Sequence, residues 1–221
     1  MKKAMDLVGL AVKDIIKGDR NAFTFIDNAG HVSTHDIKRY LRKPNQLTKL
    51  EKQLIKKAYG SIFDIGCATG YYLPLLMKKG KVVGIDISDN LIDIARKNGL
   101  KNCFVGDIFK FKSKDKFDTI TLLENNIGLG GNIINTKKLF NKLKKLLNRD
   151  GQILMITRNI DGRNYFKIKL RPHWKGVEGD EFEWVSFNIN YLKDFLLKLG
   201  FKVEVIDRDE KGFLIKASII S

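Results

Sequence analysis

A chain of 221 residues is long enough for one large single-core domain and too short for two full-sized enzymatic domains. Hydrophobic residues make up 43% and charged residues 30%, a balance that excludes the disordered and collagen-like classes. The formal net charge of +16 attracts phosphate, yet 32 of the 41 basic residues are Lys, and Arg is the residue favoured for bidentate phosphate and base recognition, so nucleic acid is open as a partner without being required.

From the N-terminus, Met1-Lys2-Lys3 and the apolar residues that follow resemble the start of a signal peptide, but Asp6 interrupts the run and Lys13-Asp14 close it. No window reaches the apolar length of a membrane span. Cys67 and Cys103 have neither zinc-site spacing nor a disulfide framework, so a soluble, cytoplasmic protein is expected. Ala4, Leu7, Val8, Ala11 and Ile15 recur at helical spacing and predict an amphipathic leading helix ending near Gly18. Residues 23–26 and 31–33 flank the turn-rich 27–30 and predict a short hairpin. Residues 48–59 predict a Lys-rich helix with Leu50, Leu54, Ile55 and Ala58 on one face, stopped by Gly60.

Beyond residue 60, short apolar strands at 61–65, 81–86, 102–105, 117–123 and 151–157 alternate with helices at 91–98 and 136–147. Such alternation predicts parallel strands with crossovers, an α/β doubly wound sheet. The last two strand-like runs, 201–207 and 212–219, are joined by four residues, which permits a hairpin but no crossover, so the last strand is antiparallel. Between 163 and 187 lies a further hairpin: Phe166, Ile168 and Leu170 alternate with Lys167, Lys169 and Arg171, and Phe182 and Trp184 alternate with Glu181 and Glu183. Pairing of the basic and acidic faces accounts for that local basic cluster.

The turn after the first parallel strand reads Asp64-Ile65-Gly66-Cys67-Ala68-Thr69-Gly70. Glycines at 66 and 70 allow close backbone approach of a ligand, and the helix start beyond them presents free amides. A dinucleotide fingerprint needs Gly where Ala68 stands and a third Gly that is missing, which disfavours a pyrophosphate ligand.

The stretch from Asp64 to Gly70 resembles motif I of class I S-adenosylmethionine-dependent methyltransferases, and Val83-Gly84-Ile85-Asp86-Ile87-Ser88 resembles their second motif. Val105-Gly106-Asp107-Ile108 is similar to the third, and Phe117 to Ile120 with Leu122 to Asn126 to the fourth. Asn148-Arg149-Asp150-Gly151 is similar to the family's turn into its fifth strand. The resemblance covers about residues 50–221 and implies a seven-stranded Rossmann-like sheet in a single domain 1–221, with residues 1–60 and the hairpin at 163–187 covering the pocket of the core 61–221. It also implies S-adenosyl-L-methionine as cofactor, bound by Asp64, Gly66, Cys67, Ala68 and Gly70 of the turn. Asp86 would accept from the ribose hydroxyls beside Ile87, Asp107 would accept from the adenine amino group, and Ile108 would pack on the ring. Glu124 would border the same cofactor, and Glu124, Asn125 and Asn126 are the expected catalytic residues.

Taken singly, Gly66 and Gly70 are turn glycines and Asp86 or Asp107 a capping carboxylate; three strand ends in order with the right residue at each make the cofactor reading. Cys67 reads as a turn residue and Cys103 as a core residue, so no covalent catalysis is expected. His31, His35 and His173 form no cluster, so no metal is expected. Trp174 and Trp184 read as core or hairpin anchors, with substrate stacking as the alternative. The run from Leu123 to Gly130 departs from the Asn-Pro-Pro-Tyr pattern of enzymes that methylate base or glutamine amino groups. That departure disfavours those substrates, and the compact size and lid-like hairpin make a small molecule the expected acceptor. One alternative is RNA on a face made by Lys137, Lys138, Lys142, Lys144, Lys145 and Arg149, which also reads as a solvated helix face; another is cofactor binding without transfer.

Overall fold

In the computed structural model, which describes residues 1–220, the chain opens with helix α1 (Lys2–Ile16) and the hairpin β1 (Phe23–Asp27) and β2 (Val32–His35). Two short 3-10 turns, Ile37–Leu41 and Pro44–Gln46, lead to α2 (Lys49–Lys57), where the side chains of Thr48 and Glu51 each accept from the other's backbone amide. The core then runs β3 (Gly60–Ile65), α3 (Leu73–Leu76), β4 (Gly80–Asp86), α4 (Asp89–Lys97), β5 (Cys103–Val105), β6 (Phe117–Leu122), α5 (Ile133–Leu146) and β7 (Leu147–Arg158). After β8 (Tyr165–Trp174), β9 (Val177–Glu178) and β10 (Phe182–Phe187), the chain returns through α6 (Ile189–Lys198) to β11 (Phe201–Asp209) and β12 (Gly212–Ile219).

The main sheet has seven strands in the order β11-β12-β7-β6-β3-β4-β5. Strands β3 to β7 are mutually parallel, and β12 is antiparallel to both of its neighbours. The reversed strand is thus next to the edge, with β11 outside it. Ile62, Phe63 and Ile65 of β3 are buried on both faces, as a central parallel strand requires.

A second sheet sits apart, with β10-β8-β1-β2 in order and β9 on β8, antiparallel throughout. The two expected hairpins are therefore one structure, joined where Thr24 to Asp27 pair with Leu170 to His173. The basic and acidic rows meet as predicted in Lys167–Glu183 at 3.1 Å and Lys169–Glu181 at 3.0 Å, whereas Arg171 pairs with Glu178 of β9 at 3.2 Å. This sheet is held to the core through α1, which lies on α4 with Gly9 at the crossing; a Cβ there would stand 2.6 Å from Asn90 Cβ. Asp6 caps α4 by accepting from Ser88 Oγ and the Asp89 amide, both at 2.9 Å. Trp174 is buried, stacks on Phe23 and donates to Asp14 at 3.2 Å.

Three expected boundaries move. Gly60 begins β3 instead of ending α2, because Ala58 is already extended and Gly60 and Gly80 pair where the two backbones crowd. The turn expected at residues 148–150 is extended: β7 starts at Leu147, pairs Phe117 with Leu147, and takes up the mismatch as a register shift. The helix expected beyond Gly70 is a single turn, since β4 already begins at Gly80.

Candidate active site

The turn after β3 is built from left-handed residues, Gly66 at φ +73°, Ala68 at +51° and Gly70 at +74°. The amides of Gly66 and Cys67 both donate to the Ile85 carbonyl, at 2.8 and 2.9 Å. The Ala68 amide donates to Asp86 Oδ2 and the Ser88 amide to Asp86 Oδ1, each at 2.9 Å. The strained turn is thus clamped to the end of β4 by the carboxylate that the sequence singled out. Burial pushes the Asp86 carboxyl up to about 6, against the backbone amides that favour its charged form.

One cavity of about 580 Å³ lies between the C-terminal ends of the parallel strands and the second sheet. Gly66, Ala68, Asp86, Ile87, Asp107, Ile108 and Glu124 border it, as do Asn125 and Asn126. Asp64, Cys67 and Gly70 do not. Cys67 is buried against Gly84, burial holds its thiol far above the ordinary range, and Gly70 packs on Leu100, so both shape the turn from behind. Asp64 is buried, accepts from Thr121 Oγ1 at 2.6 Å with one oxygen and leaves Oδ2 without a partner; burial pushes it up to about 7.

Glu124 and Asn125 follow β6 in consecutive left-handed conformations, at φ +53° and +62°. Asn125 is buried and ties three elements together: it donates to Ser186 of β10 at 3.2 Å and accepts from Thr157 Oγ1 and the Arg158 amide at 3.4 and 3.3 Å. Asn126 Nδ2 donates to the carbonyls of Ile65 and Gly66. Both amide groups are engaged within the protein, Asn125 by two side chains and one backbone amide and Asn126 by two backbone carbonyls.

Glu124 is not a free carboxylate. Its Oε2 is ion-paired with Arg39 and its Oε1 with Arg42, and Tyr72 Oη lies 3.2 Å from Oε1. Arg42 also bridges to Glu51 at 2.7 Å, and Tyr71 offers it both its ring face and its hydroxyl. Burial pushes the Glu124 carboxyl up against the pull of the two guanidiniums. The segment 36–48, for which the sequence offered no pattern, thus supplies the counter-charges of the strand end 85 residues away.

That segment also brings Tyr40 to the cavity beside His35 of β2, whose Nε2 lies 3.3 Å from Tyr40 Oη. Burial and the nearby charges of Arg39 and Arg158 lower His35 to about 4, so it is neutral at neutral pH. The Thr69 hydroxyl donates to the Tyr40 carbonyl, seating the segment on the turn. The roof contributes Phe25, Phe166, Phe182 and Trp184, so Trp184 borders the cavity whereas Trp174 is a core anchor. The lysines considered for RNA, on α5, do not border the cavity: Leu139, Phe140, Leu143 and Leu146 form that helix's buried face, and Lys137, Lys138 and Lys145 are exposed. Among the described residues no cluster of His, Cys, Asp and Glu could hold a metal, and no helix is long and apolar enough to cross a membrane.

A family model described as a methyltransferase domain matches residues 56–190. No curated protein matches the chain in sequence. Among solved structures, the chain superimposes on a SAM-dependent methyltransferase from Bacteroides fragilis in complex with S-adenosyl-L-homocysteine, with TM-score 0.90 and 26% identity over 100% of this chain and 96% of that one. A S-adenosylmethionine-dependent methyltransferase from Clostridium acetobutylicum gives TM-score 0.60 and 14% identity over 80% and 94% of the two chains. An amino pentose methyltransferase from Micromonospora echinaspora gives 0.57 and 12% over 81% and 93%. The last two likenesses are of fold alone, whereas the first extends through the second sheet.

Proposed function

Since the chain belongs to the methyltransferase domain family and is an S-adenosylmethionine-dependent methyltransferase, we propose that it methylates a small molecule held between the strand ends and the roof sheet. The observation that carries this reading is the cavity itself, with polar cofactor-type residues on one side and an aromatic roof on the other, in the size range of small-molecule sites.

The residues present fit the cofactor. Each Asp86 oxygen accepts one backbone amide, which leaves further acceptor capacity for a pair of hydroxyls, and Gly66 and Ala68 bring bare backbone to the cavity edge. Asp107 and Ile108 stand at the next strand end, where they would hold a flat heterocycle by its edge and face. When bound, the cofactor supplies an activated methyl group on a sulfonium, so no obligatory acid or base is required of the protein.

What this chain's residues do is align the acceptor and exclude water. Asn125 joins β6, β7 and β10, fixing the roof over the strand ends, and Asn126 fixes the turn. Glu124 anchors the segment carrying Arg39 and Tyr40, a positioning role that its ion pairs favour over that of a base. Incubation with methyl-labelled S-adenosylmethionine and an extract of the source cells, followed by separation of small-molecule, RNA and protein fractions, is expected to place the label in small molecules. Label confined to RNA or protein would overturn the acceptor reading, and absence of label in all three would point to cofactor binding without transfer.

A further inference from the structure

The acceptor half of the cavity has a chemical bias of its own, and the inference drawn from it rests on the small-molecule reading above. Its roof is mainly apolar and partly aromatic: Phe25, Phe166, Ile168, Leu170, Phe182 and Trp184 all come from the roof sheet. Such a roof accepts a planar body of similar character, stacked or edge-on.

The charges around that body are unequal. Asp86 and Asp107 stand on the cofactor side. Glu124 is matched by Arg39 and Arg42 and contributes no free negative charge. His35 is neutral. Arg158, the last residue of β7, borders the cavity and makes no side-chain hydrogen bond or ion pair with the described residues. Its backbone amide donates to Asn125 Oδ1 at 3.3 Å, which fixes the base of its side chain beside the end of β6. Arg158 is exposed and borders the cavity together with His35 of β2 and Ser186 of β10. The acceptor half therefore carries an unmatched positive charge on a planar five-donor fork that fits a carboxylate in bidentate fashion. A cationic acceptor would meet repulsion and no free carboxylate.

We propose that the acceptor is a small molecule with a flat, apolar body and a carboxylate, the body lying against the aromatic roof and the carboxylate paired with Arg158. The methyl group is received by another atom of that molecule, which the pairing with Arg158 orients.

The test uses three probes on one frame, 1-naphthoate, 1-naphthylmethanol and 1-naphthylmethylamine, titrated calorimetrically into the full chain with and without saturating S-adenosylhomocysteine. Naphthoate is expected to bind at least about 10-fold more tightly than the alcohol, in line with one charge-assisted pair, and the amine more weakly than either. Arg158→Gln should bring naphthoate to the level of the alcohol while leaving the alcohol and S-adenosylhomocysteine unchanged. Phe166→Ala, at a partly exposed roof position, should weaken naphthoate and the alcohol alike by about fivefold. Equal or tighter binding of the amine, a naphthoate preference that survives in Arg158→Gln, or no binding of any probe in either condition would overturn the proposal. Failure of S-adenosylhomocysteine to bind would instead strike the underlying reading, and the titrations without it would still report the acceptor class.

Discussion

Asn126 and Gly66 meet across the site: the Asn126 side-chain nitrogen lies 3.2 Å from the Gly66 carbonyl, and a Cβ on Gly66 would stand 2.5 Å from that same nitrogen. The turn is therefore closed by a contact that only glycine permits, at a φ of +73° that side chains rarely adopt. Gly66→Ala is expected to displace Asn126, distort the turn and weaken S-adenosylhomocysteine binding by roughly 100-fold or more, beyond the ~1–2 kcal/mol of left-handed strain alone. Calorimetry on a variant with unchanged far-ultraviolet circular dichroism checks this.

Removing the Glu124 charge strands Arg39 and leaves Arg42 with Glu51 as its one carboxylate partner. The side chains of Glu124, Arg42 and Arg39 are 23%, 16% and 31% exposed, so the penalty should fall below the ~3–5 kcal/mol of a fully buried pair. Glu124→Gln is expected to lower unfolding free energy in urea by about 2 kcal/mol. Unchanged stability with abolished turnover would return Glu124 to the role of base.

Asp64 makes a separate, pH-dependent prediction. Burial raises its folded-state pKa from 3.8 to about 7, so the stability it contributes is complete below pH 3.8 and is lost as pH rises through 7. Asp64→Asn, which cannot ionise, should gain on the parent chain as pH rises, by up to ~4 kcal/mol at pH 8. The gain should vanish near pH 4. Urea unfolding at the two pH values measures it, and a pH-independent difference would remove burial of the charge as the cause.

Cofactor affinity should respond to Asp86. Its carboxyl sits at about 6 in the free chain, and hydroxyl donors favour the charged form, so binding lowers that pKa. S-adenosylhomocysteine affinity is expected to be flat above pH 6 and to fall below it, by about 10-fold at pH 5. Titrations at pH 5.0, 6.0 and 7.5 give the profile; affinity that rises on acidification would contradict it.

The cofactor half of this site could be read from the sequence because each of its residues ends a strand within a short local pattern: Gly66 and Ala68 after β3, Asp86 at the end of β4, Asp107 after β5. The acceptor half could be read only in pieces, as the hairpin at 163–187 and the strand end from Glu124 to Asn126, without the contacts that join them. Arg39 and Arg42 follow no periodicity, and they meet Glu124 only after the chain has folded over 85 and 82 residues. The union of the two hairpins depends on the pairing of β1 with β8, a non-local choice that hydrophobic alternation leaves undetermined. Arg158 lies one residue beyond the strand expected at 151–157, and its freedom from ion pairs shows only in the folded chain.

The central claim is that the carboxylate of Asp86 and the turn it clamps hold S-adenosylmethionine. Calorimetric titration of S-adenosylhomocysteine into the parent chain and into Asp86→Ala at pH 7.5 tests it most directly. Binding by the parent chain and a loss of roughly 100-fold in the variant are predicted, as expected for two lost hydrogen bonds to a charged group. No binding by the parent, or equal affinity in Asp86→Ala, would contradict it.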